Sequence, residues 1–128
     1  MANKESGQQE KLMKLSLLEQ EANQINQQLQ IIEHQIIELQ ILKLHLDDVE
    51  KTKEREEILA SIGRNMFIQT SLSSKEIFVD VGAKTVLKKT PQEAKRIVDM
   101  DIEKMIELRN RIANELERLS KEASKISV

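Results

Sequence analysis

Cysteine, tryptophan and tyrosine are absent from this 128-residue sequence, and Phe67 and Phe78 are its only aromatic residues. Without cysteine, disulfides and thiolate metal sites are excluded. With aromatics at 2%, a compact core built on large rings is excluded too, because such rings usually supply much of the buried area. Proline occurs once, at Pro91, and glycine three times, at Gly7, Gly63 and Gly82. Breakers are therefore missing from about Gln8 to Ser61 and from Gln92 to the end, which predicts two long helices with a punctuated middle. No apolar run approaches the roughly 20 residues that span a bilayer. The first ten residues are polar and lack an apolar signal core, so the expected location is the cytoplasm and no membrane is expected as a partner. An excess of one charge is missing as well. Lys and Arg number 20 against 22 Asp and Glu, a formal net charge of −2, and neither end carries a basic block. Nucleic acid is therefore not an expected partner.

What remains is a chain that is 33% charged, with its apolar content mostly Leu, Ile and Val. Spread through charged and Gln-rich stretches, these residues form narrow seams on long helices. In the first helix Leu15, Leu18, Ala22, Ile25, Leu29, Ile32, Ile36 and Leu39 follow at alternating steps of three and four. That heptad pattern predicts a left-handed coiled coil. Beyond Leu39 the strict frame falls on Lys43, and the apolar series resumes through Leu42, Leu46 and Val49 after a skip, which predicts local overwinding. Extra apolar residues here, Ile37, Ile41 and Leu44, widen the stripe enough to touch more than one neighbour.

Thr90-Pro91-Gln92-Glu93 is a helix start: Thr90 as N-cap, Pro91 at the first helical position and Glu93 to close a capping box. The following seam runs Ala94, Val98, Ile102, Met105, Leu108, Ile112, Leu116, Leu119, Ala123 and Ile126, with a four-four skip after Leu108. A long helix with one apolar stripe hides it most simply against the other helix of its own chain, folded back antiparallel. The connector is rich in strand formers: Asn65 to Thr70, Glu76 to Val81 and Lys84 to Lys88. Ser61-Ile62-Gly63-Arg64-Asn65-Met66-Phe67-Ile68 is echoed nineteen positions later by Asp80-Val81-Gly82-Ala83-Lys84-Thr85-Val86-Leu87. Each copy sets a glycine between strand-like runs, where a tight turn needs positive φ. The echo predicts two β-hairpins, at about 58–70 and 76–89. Four short strands are marginal alone in water, and their edges need partners, so a sheet shared between subunits is expected.

The whole chain, 1–128, thus reads as one domain. It has a polar tail at 1–10, an N-terminal coiled-coil helix at 11–57, two β-hairpins at 58–89 and a C-terminal coiled-coil helix at 91–127. The fold class is mainly α with a small β region, a long antiparallel coiled-coil hairpin whose β-hairpins pair with other subunits in an oligomeric body. Ile62, Phe67, Ile68, Ile77, Phe78, Val79, Val81, Val86 and Leu87 are the expected assembly residues. No reaction chemistry emerges. His34 and His45 lie about 16 Å apart along one helix by rise, too far to share a metal ion. The two glycine turns lack the Walker pattern. Neither an enzyme nor a cofactor is expected.

Helix, two hairpins, helix resembles the α-type subunit of prefoldin, the archaeal and eukaryotic co-chaperone. The likeness is carried by Ser61-Ile62-Gly63-Arg64-Asn65-Met66-Phe67, by Ile77-Phe78-Val79-Asp80-Val81-Gly82-Ala83, and by Val86 to Ala94 at the entry to the second helix. Two hairpins, where a β-type subunit has one, favour the α type. The resemblance implies a hexamer of two α-type and four β-type subunits, with coiled coils projecting from a β body. It also implies ATP-independent capture of unfolded polypeptides and their delivery to a group II chaperonin. In a folded-back hairpin both chain ends meet at one tip. Leu12, Leu15, Leu18, Leu119 and Ile126 are therefore the expected client-binding residues. The alternative is a prefoldin-like structural or adaptor coiled coil that links defined partners.

Overall fold

The structure, a computed structural model, describes residues 2–126. In chain order the elements are α1 (Ala2–Lys51), β1 (Glu57–Gly63), β2 (Met66–Ser71), β3 (Ile77–Gly82), β4 (Thr85–Lys89) and α2 (Pro91–Ser124). The first ten residues, expected as a tail, are helical from Ala2, consistent with the high helix propensity of the Lys, Glu and Gln that dominate them. The first helix ends at Lys51 rather than near residue 57. Neither Gly nor Pro marks that end. Arg55 turns the chain instead, with φ of 69°. The last carbonyls find other donors. The Asp48 carbonyl accepts from both the N–H and the Oγ1 of Thr52, at 3.0 and 2.7 Å, and Lys75 Nζ donates to the Glu50 carbonyl at 2.7 Å, which satisfies one of the orphan acceptors of a helix C-terminus.

The described residues fall into two compact units, one made of residues 2–37 with 103–126 and the other of Glu38–Ile102. In the first, the two helix segments run antiparallel. Leu15 and Leu18 lie beside Leu119 and Ala123, while Glu33, further along α1, meets Arg109, further back on α2, at 3.3 Å. The protected positions of α1 are Leu15, Leu18, Ala22, Ile25, Leu29, Ile32 and Ile36, as the heptad spacing predicts. On α2 the seam passes through Arg109, which is half-buried, rather than Leu108, which is 36% exposed. With Arg109 in the frame, the steps from Met105 to Ile126 alternate three and four without interruption, and the expected four-four skip disappears.

The second unit corrects the other expected skip in the same way. Leu42 is 44% exposed, whereas Lys43 is half-buried and its Nζ meets Asp99 Oδ1 at 2.7 Å. The α1 seam therefore runs Leu39, Lys43, Leu46, Glu50 in strict heptad order. A lysine can occupy such a position because its methylene stem packs while its ammonium reaches a carboxylate at the rim. Lys95 does the same from α2, contacting Asp47 at 2.9 Å and also Glu50. Asp47 thus turns across the unit to Lys95.

The core of this unit is Leu46, Ala94 and Val98, with Leu39, Ile77 and Ile102 packed against it. Ile77 is the β3 residue that ties the second hairpin to the helices. α2 starts as expected. Thr90 Oγ1 accepts from the Glu93 N–H at 3.1 Å, and Glu93 Oε1 accepts from the Thr90 N–H at 3.2 Å, a closed capping box.

β1 pairs antiparallel with β2, and β3 with β4, as two separate two-stranded sheets. The echo noticed in the sequence is structural. Gly63 and Gly82 have φ of 110° and 92°, and each closes a register shift before a two-residue turn. Both turn residues of each hairpin are left-handed: Arg64 and Asn65 at 44° and 61°, Ala83 and Lys84 at 50° and 59°. That is the twist-compatible turn of tight hairpins. Ser61 Oγ accepts from the Gly63 N–H at 3.3 Å, and Asp80 Oδ1 from the Gly82 N–H at 2.9 Å. The same side-chain acceptor thus stabilises the same bulge twice.

Replacing Thr90 with Ala removes one half of the capping box and is expected to cost about 1 kcal/mol in denaturant unfolding. Acid should weaken the protein through three carboxylates whose pKa lies below the ordinary value. Asp47 is hydrogen-bonded by Lys95, Glu93 by the Thr90 backbone N–H and Glu115 by Arg118. Their contribution is complete above the ordinary values of 3.8 and 4.5 and is lost as pH falls through the lower folded values. Lys95, raised by its bonds to Glu50 and Asp47, contributes fully below 10.5 and loses that contribution as pH rises through its higher folded value. Melting temperature followed against pH should hold a plateau between about pH 5 and about pH 10 as far as these groups are concerned.

Candidate functional site

Two surfaces stand out. The first lies in the helix-pair unit. Leu15, Leu18 and Ala22 of α1 face Leu116, Leu119 and Ala123 of α2 across an apolar groove of about 590 Å³, with Glu19 and Ser120 at its edge. The heptad spacing places these side chains, since positions three and four apart share one helix face. Leu119 is buried at 2% exposure, and Leu18 at 8%. Leu15 and Ile126 are half-buried, while Leu12 is 54% exposed. The five expected tip residues therefore differ in setting: Leu18 and Leu119 are buried in the seam, Leu15 and Ile126 are half-buried members of it, and Leu12 faces water.

Beside Leu12 the structure exposes Met13 at 70% and Leu17 at 59%. Met13 escaped the sequence reading because it breaks the seam spacing. Its relation to Leu17, one helical turn on, was the available signal. Arg118, bonded to Glu115 at 2.5 Å and to Glu122 at 2.8 Å, puts a charged ladder on another face of α2. The apolar and charged faces of this segment are thus separate.

The second surface is the pair of hairpins. Every residue of β2 is exposed. Ile62, Phe67, Ile68, Phe78, Val81, Val86 and Leu87 are all exposed, whereas Ile77 and Val79 are half-buried on the face of β3 that meets the helices. Lys88 sits 5.8 Å from the centre of the Phe78 ring and 3.9 Å from Glu76. An apolar display of this extent on so small a structure is what an interaction surface looks like. Among the described residues there is no group of three or more His, Cys, Asp or Glu that could hold a metal ion, and no helix long and apolar enough to cross a membrane.

The family model for prefoldin subunits matches residues 18–128. The chain belongs to the prefoldin family. Among solved structures, it is similar to a chain in the cryo-EM structure of filamentous PFD from Methanocaldococcus jannaschii, with a TM-score of 0.78 at 13% identity, over 88% of this chain and 93% of that one. At that identity the likeness shows the fold: two long helices with two small antiparallel strand pairs between them. No curated protein matches the sequence. Membership of the prefoldin family supports a prefoldin-type chaperone role in general, with other prefoldin subunits as partners.

The burial contrast gives a direct check. Leu119→Ala should destabilise the helix pair by about 2–5 kcal/mol, the usual cost of emptying a buried leucine site. Leu12→Ser should shift unfolding by less than about 0.5 kcal/mol, as at other exposed positions. Equilibrium denaturation of the two variants tests the assignment of one to the seam and the other to the surface.

Proposed function

We propose that this chain is an α-type co-chaperone subunit that holds unfolded polypeptides without ATP and passes them to a group II chaperonin in the cytoplasm. The observation that carries the reading is the apolar character of the segment where α1 near Leu15 lies beside α2 near Leu119, with Leu12, Met13 and Leu17 exposed beside a groove bordered by Leu15. Leu12, Leu15, Leu18, Leu119 and Ile126 form the proposed client-binding set. Leu12 contacts clients directly, and the seam residues join when the last turns splay apart. Apolar contact is non-directional and scales with area, at about 25 cal/mol per Å² removed from water. It therefore accepts many client sequences. Several subunits acting together raise the effective affinity without new contacts. Nothing in this scheme requires catalysis or a cofactor.

The hairpin residues Ile62, Phe67, Ile68, Ile77, Phe78, Val79, Val81, Val86 and Leu87 form the proposed assembly surface for a hexamer of two α-type and four β-type subunits. Two-stranded sheets are marginal in water on their own, and their exposed edges favour strand pairing between chains. The adaptor alternative, a scaffold that links defined partners, gains support from the filamentous assembly named for the M. jannaschii structure.

Aggregation assays with several unrelated denatured proteins separate the two. The co-chaperone reading expects the assembled protein to suppress aggregation of all of them, and the double substitution Leu12→Ser, Ile126→Ser to reduce that suppression several-fold while the oligomer mass is unchanged. Unaltered suppression by the intact double variant overturns the tip assignment. Suppression of none of the clients by the wild type favours the adaptor.

A further inference from the structure

Five methionines are the only sulfur-bearing residues of this chain, which has no cysteine. A peroxide therefore meets no thiol here, and the thioethers are its first targets. The four methionines among the described residues differ in access. Met105 is a half-buried seam residue of α2, whereas Met66 on β2 and Met100 on α2 are 61% and 57% exposed. Met13 is the most open of the four, at 70%.

Its position sets Met13 apart further. Leu12 adjoins it and Leu17 lies one helical turn on, so the three make a small exposed apolar patch on α1. Met13 does not line the groove between Leu15 and Leu119. Conversion of its thioether to a sulfoxide therefore changes the polarity of the patch and leaves the helix pair closed. The chemistry is complete with a peroxide as oxidant. The sulfur lone pair attacks one peroxide oxygen, the O–O bond breaks, an S–O bond forms, and the second oxygen leaves as water. Sulfur gives up two electrons and the peroxide takes them. The product carries a polar S–O dipole where an apolar thioether had been. Covering that dipole with an apolar client segment strips it of water without a new hydrogen bond, which is unfavourable. Thiol-dependent reductases reverse the change: two thiols become a disulfide, and the oxygen leaves as water.

We propose that Met13 is a reversible oxidation site through which peroxide turns client holding down. The inference rests on the co-chaperone reading and adds a control to its contact patch. Met105 supplies the contrast, because its place in the seam shields it from an oxidant dose that modifies Met13.

The assembled protein treated with graded hydrogen peroxide tests this by peptide mass spectrometry, oligomer mass and suppression of client aggregation. Met13 should gain one oxygen several-fold faster than Met105. At that dose the wild type should lose roughly half or more of its suppression, since every tip in the assembly is affected together. Oligomer mass and the circular dichroism melt should not change, and the two sulfoxide reductases, one for each epimer, should restore suppression. Met13→Leu keeps an apolar side chain of similar volume without the sulfur, so its suppression should not fall below its own untreated level. Met13→Gln, polar at that position, should start low before any peroxide is added. The joint variant Met66→Leu, Met100→Leu should respond as the wild type does. Sulfoxide at Met13 with suppression intact overturns the proposal. A loss that Met13→Leu shares, that the joint variant lacks or that the reductases leave in place does the same, as does a fully active Met13→Gln or a Met105 that reacts as fast as Met13. An untreated wild type that suppresses no aggregation removes the co-chaperone reading itself, and the oxidation control with it.

Discussion

Alternation of three and four residues along each seam is the constraint on which the rest of this molecule depends. It keeps one face of α1 and one face of α2 turned toward each other as the segments run antiparallel. What makes the pattern informative is that it does not break where it becomes charged. Lys43, Glu50, Lys95 and Arg109 occupy seam positions, and each pairs across to the other helix, Lys43 with Asp99, Lys95 with Asp47 and Glu50, and Arg109 with Glu33. Leucine zippering alone tolerates a slip by a heptad. Charged pairs at single positions do not, because a slipped register leaves an ammonium or carboxylate against apolar side chains. The ion pairs thus act as register marks in an otherwise repetitive interface.

The hairpins show the opposite economy of contacts. Each is built from local instructions: a hydrogen-bonding Ser or Asp, a residue displaced by the bulge, a glycine with positive φ, and two left-handed turn residues. Arg64, Ala83 and Lys84 have side chains that disfavour that conformation, at a cost of order 1 kcal/mol or more each. Such turns persist when strand pairing and outside contacts hold them. The second hairpin has one anchor, Ile77, in the core of its unit. The first has none, and the whole of β2 is exposed. Local geometry therefore shapes a surface that the chain's own core leaves exposed.

Much of this was legible in the sequence, for identifiable reasons. Breaker-free stretches and the Thr90–Glu93 capping box announced the helices, and the nineteen-residue echo announced two hairpins of one design. The errors share a cause. Treating Lys43 and Arg109 as outside the seam because they are charged produced two skips that do not exist, and assigned Leu42 and Leu108 to positions the structure leaves open. The missing rule is that a long basic side chain can sit in a seam if a carboxylate lies across from it, and a partner on the other helix is invisible to a pattern read along one. The end of α1 was hard to place for a related reason. Its capping contacts come from Lys75, far along the chain, and its turn from an arginine in a conformation that usually signals glycine.

The same seam limits how a chaperone of this design can expose apolar surface. Leu18 and Leu119 are held at 8% and 2% exposure, and uncovering a buried leucine costs about 1.5–3 kcal/mol. Opening both before a client arrives would place the competent state below one per cent of the population, reducing apparent affinity by that fraction. Leu12, Met13 and Leu17 carry no such cost, because they are exposed in the closed helix pair. In the proposed capture scheme, first contact therefore belongs to the outer residues. Seam residues can follow only where client contacts replace those the seam gives up, so an early weak encounter precedes any opening and the client itself supplies the driving force for it.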